Sequence, residues 1–196
     1  MHWFTIISLH IVFLIIMGPT YTHPILIKNA LTDEECEYIK HISIDRLSTS
    51  IVGYKRYVDE TLRVSETCFL DYEQHHKLKN IILRFVKPED YNRCEQLQVV
   101  RYKTGGFFKP HQDIIAEDPN LRHCTILFSL NSDYGEGGTF FPVLKKCYKL
   151  IKGDALKFEN LDDWGGKTEK SMHGGNAVSY GEKWVCNLWI RENPVR

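Results

Sequence analysis

Two histidines and a carboxylate, His111, Asp113 and His173, are the residues of this 196-residue chain whose types and spacing most directly suggest chemistry. In His111-Gln112-Asp113 the first and third residues face the same side of an extended chain, so one imidazole and one carboxylate can reach a single metal ion. The pair alone is a weak signal, because His-x-Asp arises by chance in many sequences. A third donor sharpens it: His173 stands in Ser171-Met172-His173-Gly174-Gly175, about sixty residues on, just before a strand-like run. Two imidazoles and one carboxylate on one face of Fe(II) leave open positions for a bidentate co-substrate and for oxygen, which a closed four-ligand structural site does not. An open site implies catalysis.

Ten residues after His173, Lys183 leads the run Lys183-Trp184-Val185-Cys186-Asn187-Leu188-Trp189-Ile190. By alternation Lys183, Val185, Asn187 and Trp189 share one face and Trp184, Cys186, Leu188 and Ile190 the other. An ammonium on so apolar a strand calls for an anionic partner, since an unpaired buried charge is costly. A ligand carboxylate would satisfy it. Other histidines, His75, His76 and His123, read as surface or core-edge residues and receive no role. Gly105-Gly106 and Gly137-Gly138 read as turns, since neither opens a helix or ends in Gly-Lys-Ser/Thr.

The elements that must position these groups divide the chain in two. Thr32-Asp33-Glu34-Glu35 is a capping box, followed by Cys36, Ile39, Ile42 and Leu47 at near-helical spacing. A second helix is expected from about Asp71, with Leu78, Ile81, Ile82 and Phe85 as its apolar stripe, ending before Pro88. After Cys94 the pattern changes to short β-type runs at 97–102, 124–130, 139–141, 155–158, 177–180 and 184–190, separated by glycine-rich turns. Short strands with turn signals point to a sandwich, barrel or jelly roll. The expected class is α+β, with helices of the front half packed outside a β core.

Length fits one catalytic domain, and the 25 basic and 25 acidic residues cancel without a long run of either sign, so no nucleic-acid partner is expected. Residues 3–17 form an apolar run ended by Gly18-Pro19, of signal-peptide length and short for a membrane span. The run reads as residues 1–23 being a cleaved signal or an uncleaved signal anchor, ahead of a domain at 24–196. Either places the domain in the secretory pathway, in the endoplasmic reticulum lumen, anchored facing the lumen, or secreted. Any membrane contact is through that anchor. Six cysteines, all after the run, are compatible with bridges and buried thiols, and none has zinc-site spacing.

From the residues around Pro24 onward the chain resembles the prolyl 4-hydroxylase family of Fe(II)- and 2-oxoglutarate-dependent dioxygenases, in its collagen-like and plant-like branch. Four motifs carry the likeness in family order: 98–113, ending in the first two candidate ligands; Gly137-Gly138-Thr139-Phe140-Phe141-Pro142; Lys152-Gly153-Asp154-Ala155-Leu156-Lys157-Phe158; and 173–184, from the third ligand to Lys183 and Trp184. The resemblance implies a double-stranded β-helix, or jelly roll, with the metal at the barrel mouth. It implies Fe(II) on His111, Asp113 and His173, with Lys183, Tyr102 and Thr139 on the distal carboxylate of 2-oxoglutarate and Trp189 lining the pocket. The implied reaction consumes O2, decarboxylates 2-oxoglutarate to succinate and carbon dioxide, hydroxylates a prolyl C4 in a proline-containing peptide or protein, and draws on ascorbate. Two departures bear on substrate: Phe108 stands where the family usually has tyrosine, and no cysteine follows the last histidine closely. Arg122 matches a family position that contacts peptide backbone, or is a solvated surface arginine. Lysine or small-molecule oxygenation, a non-catalytic peptide-binding relative and a zinc hydrolase are the rival readings, and oligomeric state is open.

Overall fold

The computed structural model of the chain describes residues 18–53, 57–115 and 118–195; the apolar run at 3–17 lies outside the described residues. Fourteen short strands are described: β1 (Ile25–Ile27), β2 (Ser48–Thr49), β3 (Arg63–Val64), β4 (Glu66–Leu70), β5 (Leu97–Tyr102), β6 (Phe107–His111), β7 (Arg122–Ser129), β8 (Tyr134–Glu136), β9 (Thr139–Phe141), β10 (Lys146–Tyr148), β11 (Ala155–Glu159), β12 (His173–Gly175), β13 (Val178–Gly181) and β14 (Lys183–Arg191). A seven-stranded sheet runs in the order β1-β11-β7-β14-β5-β4-β2, a five-stranded sheet in the order β10-β9-β12-β6-β3, and β13 pairs with β8. All the strand pairings are antiparallel. Two such sheets sharing a core make a jelly roll.

Alternation sorts the large sheet into two faces. Leu97 and Val99 of β5, Cys124, Ile126 and Phe128 of β7, and Trp184, Cys186, Leu188 and Ile190 of β14 enter one apolar cluster. Cys36 and Ile39 of helix α1 (Asp33–Ser43) and Leu78, Ile81 and Ile82 of helix α2 (His76–Ile82) join that same cluster, so both helices cover this face. The opposite face puts Val100, Leu127, Leu156, Phe158 and Val185 with Phe141 of the small sheet, in the core between the sheets. Each fully buried aliphatic or aromatic side chain here contributes about 2 kcal/mol of burial free energy.

Helix α1 starts where the capping box places it: the Glu35 amide donates to Thr32 Oγ1 at 3.2 Å and the Thr32 amide to Glu35 Oε2 at 2.9 Å. Helix α2 begins at His76 rather than near Asp71. Asp71 spends its acceptors on a turn, taking the Glu73 amide on Oδ1 at 3.0 Å and the Gln74 amide on its carbonyl at 3.3 Å. Phe85 lies past the end of α2 and still packs edge-on against Phe128, with ring centroids 4.8 Å apart. The front half is also less helical than its sequence suggests, since β1 to β4 lie in it. Of these, β2 and β3 are two residues long, too short for alternation to register.

None of the six cysteines is joined in a disulfide, and five of them are buried. Register explains why the buried ones do not bridge within the sheet. Cys68 and Cys186 both face Val99 from opposite sides, so two strand spacings, roughly 10 Å, separate their backbones. A disulfide closes only below about 7 Å. Cys94 and Cys124 flank Ile190 in the same way.

Chain upstream of the expected domain start is part of the fold. Thr20 donates to both carboxylate oxygens of Asp163, through its amide at 2.7 Å and its hydroxyl at 2.6 Å, and the Tyr21 hydroxyl donates to the Glu159 carbonyl at 2.8 Å. Tyr21 is buried. Among the described residues no helix is long and apolar enough to cross a membrane.

Candidate metal centre

The three candidate ligands come from one corner of the small sheet. β12 pairs with β6 so that His173 is the direct cross-strand partner of His111, and their rings sit 4.5 Å apart. Gly174 makes that pairing feasible, because a Cβ there would lie 2.8 Å from both the Phe108 carbonyl oxygen and the Phe140 ring. At the other end of β6, Gly105 holds a φ of +83° in the turn from β5, a conformation L side chains rarely take. Asp113 lies just past β6, with Oδ1 3.7 Å from His111 Nε2 and Oδ2 3.8 Å from His173 Nε2. One donor atom from each residue falls within 4.8 Å of the others.

Surrounding bonds set the donors for metal. His111 Nδ1 bonds the Lys109 carbonyl at 2.9 Å and His173 Nδ1 the Ser171 carbonyl at 3.0 Å, so in each ring Nδ1 carries the proton and Nε2 is the free lone pair. Burial, the His173 imidazole and Arg63 push the His111 pKa down to about 3, keeping it the neutral base a metal requires. Burial pushes the Asp113 carboxyl up, but the two histidines, Arg122 and the Thr125 hydroxyl outweigh it and hold the group below its usual range. The residue between the ligands, Gln112, donates from Nε2 to the Thr168 carbonyl at 2.6 Å, tying the ligand turn to the segment that leads into His173.

Around this corner is a cavity of about 1090 Å³. Lys183, Val185, Asn187 and Trp189 all line it, the four that alternation places on one face, and Tyr102 and Thr139 line it with them. Lys183 is Tyr102's cross-strand partner, with Nζ 5.4 Å from the Tyr102 ring. It is only 5% exposed, no ion pair or hydrogen bond reaches Nζ among the described residues, and burial pulls its pKa down to about 8. A buried ammonium without a counter-ion fits an acid-bearing ligand. Three metal donors and this cation in one cavity fit Fe(II) with a dicarboxylate co-substrate.

Arg122 is not a solvated surface residue. It makes a two-pronged bond to Glu95, Nε to Oε1 at 2.6 Å and Nη2 to Oε2 at 2.8 Å, lies 3.5 Å over the Trp189 ring and donates to the Asp113 carbonyl at 3.1 Å. Phe108 stacks face to face on His111, centroids 3.6 Å apart, and the Arg63 guanidinium covers its ring at 4.6 Å. Reading the sequence missed Arg63, Glu95, Thr125 and Asn160. Arg63, 7% exposed, lines the cavity and donates to Ser65 and Thr67 hydroxyls. Thr125 could have been found, since it is a hydroxyl set between the apolar Cys124 and Ile126 of β7 and, if buried, needs a partner.

Comparison with known proteins agrees with this geometry. A family profile described as the 2OG-Fe(II) oxygenase superfamily matches residues 97–191. A putative prolyl 4-hydroxylase of Acanthamoeba polyphaga mimivirus is 30% identical over 186 residues, covering 88% of this chain and 75% of that protein. Prolyl 4-hydroxylase 1 of Arabidopsis thaliana is 32% identical over 197 residues, covering 87% and 69%. Among solved structures, the 2OG complex of a viral collagen prolyl hydroxylase from Paramecium Bursaria Chlorella virus-1 superposes with a TM-score of 0.65 at 25% identity, covering 87% of this chain and 96% of that one.

Proposed function

The chain belongs to the prolyl 4-hydroxylases of the 2OG-Fe(II) oxygenase superfamily, and on that premise we propose that it hydroxylates C4 of proline in a peptide or protein substrate, coupled to decarboxylation of 2-oxoglutarate. The observation that carries this reading is the coincidence, in one cavity, of the His111, Asp113 and His173 donors with a buried, unpaired Lys183. A zinc hydrolase has no use for the lysine, and a binding module none for an open metal corner.

His111 Nε2, His173 Nε2 and the Asp113 carboxylate would hold Fe(II). With 2-oxoglutarate and O2 bound there, the metal supplies the oxidative chemistry that yields succinate, carbon dioxide and hydroxyproline. Lys183 pairs with the distal carboxylate, and Tyr102 and Thr139, beside it on the cavity wall, are its hydrogen-bonding neighbours. Val185, Leu127 and Trp189 exclude bulk water from the reacting end. Ser50, Ile51, Val52 and Gly53 line the same cavity and would offer their backbone to the substrate chain. Phe108 offers that chain an apolar ring where a tyrosine would offer a hydroxyl. Ascorbate is the expected reductant for enzyme lost to uncoupled turnover.

The domain is assigned to the secretory pathway by its apolar N-terminal run, with the two helices as the outer cover of the barrel. A cut at the boundary between residues 1–23 and the domain would remove Thr20 and Tyr21, both bonded into the fold, which favours the retained anchor over the cleaved signal.

The test is mass spectrometry of proline-rich and collagen-like peptides incubated with the protein, Fe(II), 2-oxoglutarate, O2 and ascorbate. One added oxygen on proline, dependent on 2-oxoglutarate, is the expected result. Succinate without oxidised proline would overturn the prolyl substrate and move the reading to lysine or small molecules; no succinate with iron bound would overturn the oxygenase.

A further inference from the structure

Asp113 has two oxygens within reach of the metal corner, and the groups around it treat them differently. Oδ2 accepts from Thr125 Oγ1 at 2.7 Å and from Trp189 Nε1 at 3.0 Å. Thr125 and Trp189 are direct cross-strand partners on β7 and β14, so the two donors stand side by side. A carboxylate oxygen offers about two lone-pair directions, and both of Oδ2's are taken. Oδ1 accepts no hydrogen bond among the described residues and lies toward His111 Nε2.

Behind Thr125 stands Asn160, just past β11, whose Nδ2 donates to Thr125 Oγ1 at 2.9 Å. A hydroxyl carries one proton. With an amide hydrogen already directed at the Thr125 oxygen, that proton has Asp113 as its acceptor. Thr125 is 1% and Asn160 0% exposed, so bulk water offers neither an alternative. Asn160 Oδ1 is left without a partner in this arrangement. Turned the other way, the amide oxygen would take the Thr125 proton for itself and strip Oδ2 of its shorter bond; the charged acceptor prevails over the neutral one.

We propose that Thr125 and Asn160 are positioning residues that make Asp113 a one-oxygen ligand through Oδ1, keeping open the coordination position that a two-oxygen carboxylate would occupy and that a bidentate co-substrate needs. The inference rests on the metal-centre reading above. Neither residue touches metal or substrate; Thr125 acts through Asp113, and Asn160 through Thr125.

The test is metal binding without turnover. Co(II) is titrated into the full chain and into Thr125→Val, Thr125→Ser and Asn160→Asp, reading the dissociation constant by calorimetry and the ligand-field absorption of the bound ion. Thr125→Val, which keeps the volume and removes the proton, is expected to weaken binding on the order of 10- to 100-fold and to alter the spectrum. Thr125→Ser, which restores the proton, is expected to return to within about threefold of the parent. Asn160→Asp places a competing carboxylate on the Thr125 proton and is expected to follow Thr125→Val; should that variant not fold, the Val and Ser pair decides alone. If the parent binds Co(II) and Thr125→Val binds equally well, the positioning role falls while the metal centre stands. Serine as weak as valine would mean that packing and not the proton matters, which also overturns it. No binding by the parent would remove the metal centre itself.

Discussion

At the Trp189 end of the inner face of β14, the charge of Asp113 meets two side-chain donors on one oxygen, two imidazoles within 4 Å and an arginine on its own carbonyl. At the Lys183 end of the same strand, a charge buried as deeply meets only the Tyr102 ring, with no ion pair or hydrogen bond among the described residues. One strand therefore carries a site finished by the protein and a site left for a ligand to finish. On the proposed function, geometry that must be set before reaction is held by the chain, and affinity for the co-substrate would come from an unmet electrostatic demand. A charge already answered within the protein could not contribute to binding.

The largest effect should come from the finished end. His111→Ala, Asp113→Ala and His173→Ala are each expected to lower 2-oxoglutarate turnover by at least about a thousandfold, read as succinate release. Full activity in any one would remove that residue from the ligand set. At the unfinished end, Lys183→Ala is expected to raise the KM for 2-oxoglutarate about 10- to 100-fold, because the carboxylate loses a charge-assisted bond. An unchanged KM would place the carboxylate elsewhere.

A smaller effect is a matter of pH. With the site empty Lys183 titrates at about 8, and pairing with a carboxylate raises that value. Binding is at full strength below pH 8, where the ammonium is already present, and weakens above it, where a proton must be taken up. The KM should be flat up to about pH 8 and then rise by at most about tenfold per unit. A flat profile to pH 9.5 would show that another group answers the carboxylate.

The smallest effect is on stability. Lys183 has a lower pKa folded than its ordinary 10.5, so it destabilises the ligand-free fold below pH 8, by at most on the order of 3 kcal/mol, and this penalty is relieved as pH rises from 8 toward 10.5. Lys183→Met should therefore raise the melting temperature of the ligand-free protein near neutral pH by a few degrees. A lower melting temperature would mean the ammonium is satisfied in the empty site after all.

What the sequence disclosed follows the same division. The meeting of His111, Asp113 and His173 and the inward placing of Lys183 were legible because each depends on local pattern: alternation along β14, the two-residue spacing of His111 and Asp113, and glycine beside His173. The jelly roll was legible from the strand-rich second half, while β2 and β3 gave no periodic signal. Asn160, Glu95 and Arg63 were not legible because their partners lie on segments distant in sequence; Thr125 offered a buried hydroxyl in need of a partner, but not its meeting with Trp189 across β7 and β14. Arg122 stood between two readings for that reason, since Glu95, which buries it, lies on another segment. The cysteines looked bridgeable by number and compartment, yet pairing is a matter of distance across a sheet.

The clasp between Thr20 and Asp163 spans 143 residues of sequence. A ribosome adding about 5–20 residues per second needs roughly 7–30 seconds to deliver the second partner after the first. Through that interval Thr20 and Tyr21 have nothing to dock against, and β1 waits nearly as long for β11. The segment after the apolar run thus stays undocked until nearly the whole barrel has been made, and its clasp is among the last long-range contacts the growing chain can close.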